Sequence, residues 1–206
     1  MSESPESVAQ AKIYVANGLG FNDVGRHGLE RLLIPALEHL NAKPKVGIDP
    51  KVEQLKVIEP FADQNLLDKI VPLFKEIDAT DSVRERRQIR KKLQIIIGLH
   101  NIEHLAGCDA LLFAMDGGHS ADDGGSWESG FLAGLDYAKP KEERRPTFHW
   151  RSDFRLCESP ISGVNCMFHG GAEITGGKVI EGMNSLPQVI EEVRRWHDAL
   201  LEKNKV

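Results

Sequence analysis

Four carboxylates lie close together in the middle of the chain: Asp116, Asp122, Asp123 and Glu128. An ionised carboxylate can attack the anomeric carbon of a sugar while a second acid protonates the leaving group. Retaining glycosyl chemistry of this kind needs the two groups about 5–5.5 Å apart. The glycine-rich turn between Asp122 and Glu128 is compatible with that separation. The alternative is a solvated acidic loop followed by an ordinary acid at a helix start, and the spacing alone leaves both interpretations open.

The elements around these carboxylates predict a ligand-binding edge. Residues 110–115 form a continuous apolar run without alternation, which is typical of a strand covered on both faces. Ser126 is a candidate N-cap for a helix over 127–137, and this would place Glu128 in the first turn. There the helix dipole and the unpaired N–H groups would hold the carboxylate ionised. Open α/β sheets bind ligands just outside the carboxyl ends of such strands.

The rest of the chain predicts strands that alternate with helices. Further strands are expected at 12–16, 55–58, 146–150 and 164–168, and further helices at 22–40 (interrupted by Pro35), 63–77, 82–105 and 186–201. This order indicates an α/β fold with a mostly parallel sheet of about five strands, flanked by helices on both faces. Residues 1–10 are expected to be a disordered leader, and 11–206 a single domain.

Composition narrows the possible partners and location. The net charge of −5 and the absence of a basic stripe argue against nucleic acid as a partner. The sequence contains no apolar run of about 18 residues, so we expect no membrane span. The three cysteines lack metal-type spacing and are expected to be reduced thiols. Together with an N-terminus that lacks the apolar core of a signal peptide, these features favour the cytoplasm.

Two other motifs bear on alternative functions. The pair Gly18 and Gly20 lacks the third glycine of a dinucleotide-binding loop, and the chain has no phosphate-binding Gly-Lys-Ser/Thr. The segment from His100 to His104 matches the H-x-x-E-H motif of one class of metallopeptidases. In that motif, two histidines one helical turn apart share a zinc ion and the glutamate, here Glu103, would act as the base. The alternative is a chance match on a partly exposed helix face, since the sequence identifies no third ligand.

Four segments resemble the nucleoside 2-deoxyribosyltransferase family. They are Lys12-Ile-Tyr-Val-Ala, Cys108-Asp-Ala-Leu-Leu-Phe-Ala-Met-Asp-Gly, Asp122-x-Gly-x-x-Trp-Glu-x-Gly and Val164-Asn-Cys-Met. They occur in the family's order across residues 12–168, although residues 43–98 align poorly. The resemblance implies a doubly wound, Rossmann- or flavodoxin-like domain. It also implies transfer of 2-deoxyribose from one nucleobase to another without a metal or organic cofactor.

The resemblance also implies roles for individual residues. Glu128 corresponds to the nucleophile, Tyr14 to a tyrosine that positions it, and Asp122 to an acid that binds the substrate or manages its proton. Asn101 stands where some members carry an aspartate facing the base, which leaves open the group that protonates the leaving base. Asn165 corresponds to an asparagine that binds the sugar in a neighbouring subunit's site, so a homo-oligomer is expected.

Further substrate contacts are predicted at Asp116, Gly18, Phe21 and Trp127, with the two aromatic side chains as apolar walls or as core. The expected partners are nucleosides and free nucleobases. Three alternatives remain open at this point. They are an N-glycosidase of the same fold acting on nucleosides or nucleotides, a non-catalytic nucleoside-binding module, and a zinc hydrolase that uses His100 and His104.

Overall fold

The sheet contains five strands that all run parallel in the part of the chain described. The structure is a computed structural model that describes residues 10–17, 23–42, 55–116, 122–152 and 164–203. The strands are β1 Ala11–Asn17, β2 Leu55–Ile58, β3 Ala110–Ala114, β4 Thr147–Arg151 and β5 Lys178–Glu181. Their order is β2-β1-β3-β4-β5. This confirms the predicted α/β fold, and the order is that of a doubly wound, flavodoxin-like sheet.

Helices connect the strands. They are α1 Asp23–Gly28, α2 Ile34–Glu38, α3 Gln64–Ala79, α4 Val83–Ala106, α5 Asp123–Asp136, α6 Cys166–Thr175 and α7 Leu186–Lys203. A π-helical turn, Leu29–Leu33, joins α1 to α2, and Pro35 lies in the first turn of α2, where its missing N–H is tolerated. No helix within the described ranges is both long enough and apolar enough to cross a bilayer.

The strands bury side chains on both faces of the sheet. On one face, Ile13 and Leu112 belong to a cluster completed by residues of α2 and α7, including Leu37 and Val193. On the other face, the alternate strand residues pack with Leu105 of α4 and with side chains of α5 and α6. The pleat explains this division, because successive side chains of a strand point to opposite faces. The second face is the one that carries the candidate site.

The predicted strand at 164–168 is wrong, and the fifth strand lies further along the chain. Asn165 is the N-cap of α6, with its Oδ1 accepting a hydrogen bond from the Met167 backbone N at 2.9 Å. The helix ends at Gly176, whose φ of 75° is left-handed, and β5 then pairs with β4. Gly177 is required at this junction because a Cβ there would collide with the backbone of Thr147.

Candidate functional site

Glu128 lies in the second turn of α5, because the helix begins earlier than the sequence suggested. Asp122, rather than Ser126, is the N-cap residue, and its Oδ2 accepts a hydrogen bond from the Gly125 backbone N at 2.7 Å. The Ser126 hydroxyl instead donates to the Asp122 carbonyl oxygen at 2.7 Å. Aspartate caps a helix as well as serine does. Gly125 allows this early start, since a Cβ there would collide with the Phe113 ring of β3.

Two side chains from other elements hold the Glu128 carboxylate. Tyr14 Oη, from the middle of β1, donates a hydrogen bond of 2.8 Å to Glu128 Oε1. Asn101 Nδ2, from α4, donates a second hydrogen bond of 2.9 Å to the same oxygen. Tyr14 is fully buried, and Glu128 is 9% exposed. No hydrogen bond reaches Glu128 Oε2 from the described residues, so this oxygen is the one suited to attack a substrate.

This cluster lies beside the topological switch point of the sheet. The strands β1 and β3 are neighbours, and the chain continues from β1 to β2 on one side and from β3 to β4 on the other. In sheets of this order, ligands bind in the crevice outside the carboxyl ends of β1 and β3. The elements that carry Tyr14 and Glu128 therefore flank this switch point, with Tyr14 in the middle of β1 and Glu128 on the helix after β3.

Burial raises the pKa of Glu128, because a carboxylate is less stable away from water. The hydrogen bonds from Tyr14 and Asn101 act in the opposite direction by favouring the charged form, while the charge of Asp122 adds to the rise. The expectation that the helix start stabilises the charged form of Glu128 therefore does not account for its pKa, which burial raises. Its position in the second turn removes it from the free N–H groups, so burial dominates.

Tyr14 remains a hydrogen-bond donor at neutral pH. Burial raises the pKa of its phenol, and the charge of Glu128 raises it further. Ionising the phenol would place two negative charges side by side in a buried space, which both effects oppose. Tyr14 therefore offers a proton to Glu128 Oε1 without transferring it.

The other predicted site residues have structural contacts of their own. Asp116 accepts hydrogen bonds from the Ser152 backbone N at 2.9 Å and from its hydroxyl at 2.6 Å, which joins the segments after β3 and β4. Asn165 caps α6, as described above. Trp127 is 53% exposed and stacks on Phe131, with ring centroids 4.9 Å apart. It is therefore a surface aromatic, while the predicted contacts at Gly18 and Phe21 lie outside the described residues.

A neutral polar pair next to Glu128 was missed from the sequence. Ser129 follows Glu128 on α5, and its Oγ lies 2.7 Å from His149 Nε2 of β4, with both residues buried. Burial lowers the pKa of His149 to about 4, and the nearby His169 contributes to the decrease. A neutral imidazole can form a hydrogen bond with the Ser129 hydroxyl without placing a charge in the buried strand. The available signal was the histidine within the apolar run of β4.

The arrangement suits covalent chemistry by a carboxylate. Two donors hold one oxygen of the Glu128 carboxylate, and this fixes the direction of the other oxygen. The carboxylate is also partly screened from water. A carboxylate so held can form an ester with an electrophilic carbon and leave again as the carboxylate. Comparison with protein-family models and with curated protein sequences finds no match for this chain.

Proposed function

We propose that this protein transfers 2-deoxyribose between nucleobases through a covalent ester at Glu128. The observation that carries the proposal is the buried Glu128 carboxylate, held at Oε1 by Tyr14 and Asn101 beside the switch point of the sheet. Tyr14 and Glu128 are also the residues that the resemblance to nucleoside 2-deoxyribosyltransferases assigns to the nucleophile and its positioning tyrosine. Geometry and motif therefore favour the same chemistry at the same residues.

The proposed reaction consists of two displacements. In the first, Glu128 Oε2 attacks C1′ of the nucleoside, and the glycosidic C–N bond breaks with its electron pair going to the base, which gains a proton. In the second, a nitrogen of the incoming base attacks C1′, the ester C–O bond breaks, and the incoming base loses its proton. Each step inverts C1′, so the product retains the original anomeric configuration.

The surroundings of Glu128 favour both steps. Burial destabilises the free carboxylate, and the ester that forms carries no charge, so ester formation relieves the cost of a buried charge. In the second step the carboxylate must leave, and the hydrogen bonds from Tyr14 and Asn101 stabilise the charge that returns to Oε1. The two donors therefore assist the reaction most when charge develops on Glu128.

The proposed substrates are nucleosides and free nucleobases, and the proposed chemistry uses no metal or organic cofactor. We further propose a cytoplasmic homo-oligomer in which Asn165 contributes to a neighbouring subunit's site. Within its own chain, Asn165 uses Oδ1 to cap α6. In this proposal, Asp122 combines its helix cap with an electrostatic effect on Glu128.

The proposal is tested by chromatography of 2′-deoxyinosine incubated with free adenine, alongside a reaction without adenine. We expect deoxyadenosine to form only when adenine is present, because the deoxyribosyl ester must be passed to an acceptor base. Equal hypoxanthine release in both reactions would indicate an N-glycosidase instead. An absence of any product in both would contradict the proposed activity on free nucleosides.

Tyr14→Phe is expected to move the acid limb of the pH profile of kcat/KM upwards by about one to two pH units. Glu128 must be ionised to attack, and the substitution removes a donor that favours the ionised form. A hydrogen bond to a charged group contributes about 1.5–3 kcal/mol, and one pKa unit corresponds to about 1.36 kcal/mol. The measurement is kcat/KM of base exchange between pH 4 and 9, roughly the range in which a raised glutamate pKa is visible.

The control for this substitution is Tyr137→Phe. The chain contains two tyrosines, and Tyr137 is 64% exposed at the end of α5. We expect its profile to match that of the unmodified protein. If the acid limb of the Tyr14→Phe variant coincides with that of Tyr137→Phe, Tyr14 does not tune the nucleophile.

A further inference from the structure

Three potential metal ligands meet where the start of α3 faces α4. His100 and His104 lie one turn apart on α4, with ring centroids 4.3 Å apart. Asp63, the N-cap of α3, places its Oδ2 3.2 Å from His104 Nε2 and 3.5 Å from His100 Nε2. The three donor atoms all lie within 4.8 Å of one another. The sequence indicated the two histidines but not this carboxylate.

The distances fit a single small cation. Zinc binds histidine nitrogen at about 2.0–2.1 Å and carboxylate oxygen at about 2.0–2.2 Å, so the ligand atoms of a tetrahedral site lie roughly 3.3 Å apart. The two separations from Asp63 Oδ2 are close to that value. The remaining separation, between the two imidazole nitrogens, is at most 4.8 Å, and the terminal torsion of histidine has a broad minimum that permits the rings to turn.

One of the three ligand atoms, His100 Nε2, makes no hydrogen bond with the described residues, and its contact with Asp63 Oδ2 is 3.5 Å long. This nitrogen is buried and points towards the Asp63 carboxylate. A buried polar atom without a partner is costly, and a bound ion is one of the explanations for such an atom in a native structure.

We propose that Asp63, His100 and His104 form a binding site for a zinc ion. Two imidazoles and a carboxylate are a ligand set that zinc accepts, with a further position available to water. The three side chains line a cleft of about 670 Å³, which provides a route for the ion to enter. Asp63, the N-cap of α3, therefore supplies the third ligand that the H-x-x-E-H segment lacks.

The proposed zinc site also restrains a residue of the neighbouring Glu128 site. Asn101 follows His100 directly on α4 and donates to the Glu128 carboxylate. An ion that joins Asp63 to His100 and His104 fixes α3 against this turn of α4, and so restrains the side chain that holds the nucleophile. The zinc ion takes no part in either displacement at Glu128, so base exchange does not depend on the ion as a reactant.

The experiment is a calorimetric titration of the chelator-treated, dialysed protein with Zn²⁺ alone, repeated with Co²⁺ for its visible absorption. We expect one equivalent of Zn²⁺ to bind, and a Co²⁺ spectrum typical of tetrahedral coordination by nitrogen and oxygen. His104→Ala and Asp63→Asn should each weaken binding by about 100-fold or more, since even the loss of an outer contact costs 10–100-fold. Asparagine keeps the helix cap of α3, so the second variant removes the charged ligand without removing the cap.

Two variants serve as controls for the titration. His169→Ala removes a half-exposed histidine outside the cluster, and Asp68→Asn removes a carboxylate that lines the same cleft without belonging to it. Both should bind Zn²⁺ as the unmodified protein does.

Zinc should also raise the Tm of the unmodified protein and of both controls, but not that of His104→Ala. The proposal is overturned if the unmodified protein binds no zinc, or if His104→Ala and Asp63→Asn bind it undiminished. These readouts need no substrate, so they are independent of the transferase proposal.

Discussion

Glu128→Gln is expected to reduce base exchange by at least about 10³-fold while leaving the fold intact. An amide cannot act as an ionised nucleophile, so the ester cannot form and the second displacement cannot follow. The substitution nevertheless preserves the local geometry, because the glutamine carbonyl oxygen accepts the same hydrogen bonds from Tyr14 and Asn101. The measurement is the steady-state rate of deoxyadenosine formation, with mass spectrometry of the protein to detect the deoxyribosyl adduct.

The same substitution should stabilise the fold at neutral pH. The folded protein raises the pKa of Glu128 above its usual 4.5, mainly through burial, so the folded state binds this proton more tightly than the unfolded state. Stability is therefore lost as the pH rises from about 4.5 through the raised pKa. Replacing the ionised group should therefore raise the Tm measured at pH 8. The gain should vanish below about pH 4, where the glutamate is protonated in both states.

The matched control is Glu76→Gln, on an exposed position of α3. We expect its exchange rate to equal that of the unmodified protein and its stability to change by less than about 0.5 kcal/mol. A Glu128→Gln variant with the full exchange rate would contradict the assignment of the nucleophile. One that loses activity and also unfolds at lower temperature at pH 8 would contradict the account of the buried charge.

The sheet was predictable because most of its strands carry a strong local signal. All five residues of β3 are buried, and the corresponding apolar run has no alternation. The strand β5 carries a much weaker signal, since Lys-Val-Ile-Glu is short, begins and ends with a charge and lies at the edge of the sheet. The segment 164–168 is apolar enough to resemble a strand, but Asn165 turns the chain into a helix there. Only the capping hydrogen bond distinguishes the two outcomes.

The sequence predicted that Tyr14, Asn101 and Glu128 belong to one site, but it did not predict the electrostatics of that site. Tyr14 and Glu128 are 114 residues apart, and no local pattern relates them, so their pairing came from the resemblance alone. The pKa of Glu128 depends on where α5 starts and on how much of the carboxylate is covered. Both depend on the packing of Gly125 against Phe113, which sequence spacing does not reveal. Asp63 could not be assigned for a similar reason, since it reaches His104 from 41 residues away.

The two helices that deliver Asn101 and Glu128 are joined by one arginine. Arg145 donates from Nε to Asp136 Oδ2 and from Nη2 to Asp136 Oδ1, both at 2.8 Å. Its Nη1 donates to carbonyl oxygens at the end of α4, including that of Ala106 at 2.9 Å. Asp136 is fully buried on α5, and hydrogen bonds from Arg145 hold the pKa of its carboxyl well below its usual range even though burial opposes this. The guanidinium therefore pairs with the buried Asp136 carboxylate and also donates hydrogen bonds to the carbonyl oxygens at the end of α4.

Arg145→Ala should destabilise the protein by about 3–5 kcal/mol, because it leaves the Asp136 carboxylate buried with Lys139 as its one charged partner among the described residues. Urea unfolding at pH 7 measures this loss, and Arg194→Ala, which removes a half-exposed ion pair, should cost less than about 1 kcal/mol. Adding Asp136→Asn to Arg145→Ala should recover part of the loss by removing the buried charge that has lost its guanidinium, whereas the carbonyl oxygens of α4 still lack their donor. A double variant no more stable than Arg145→Ala alone would show that the cost lies in the lost carbonyl contacts rather than in the buried charge. A loss below about 1 kcal/mol in the single variant would mean that α4 and α5 are held together without this arginine.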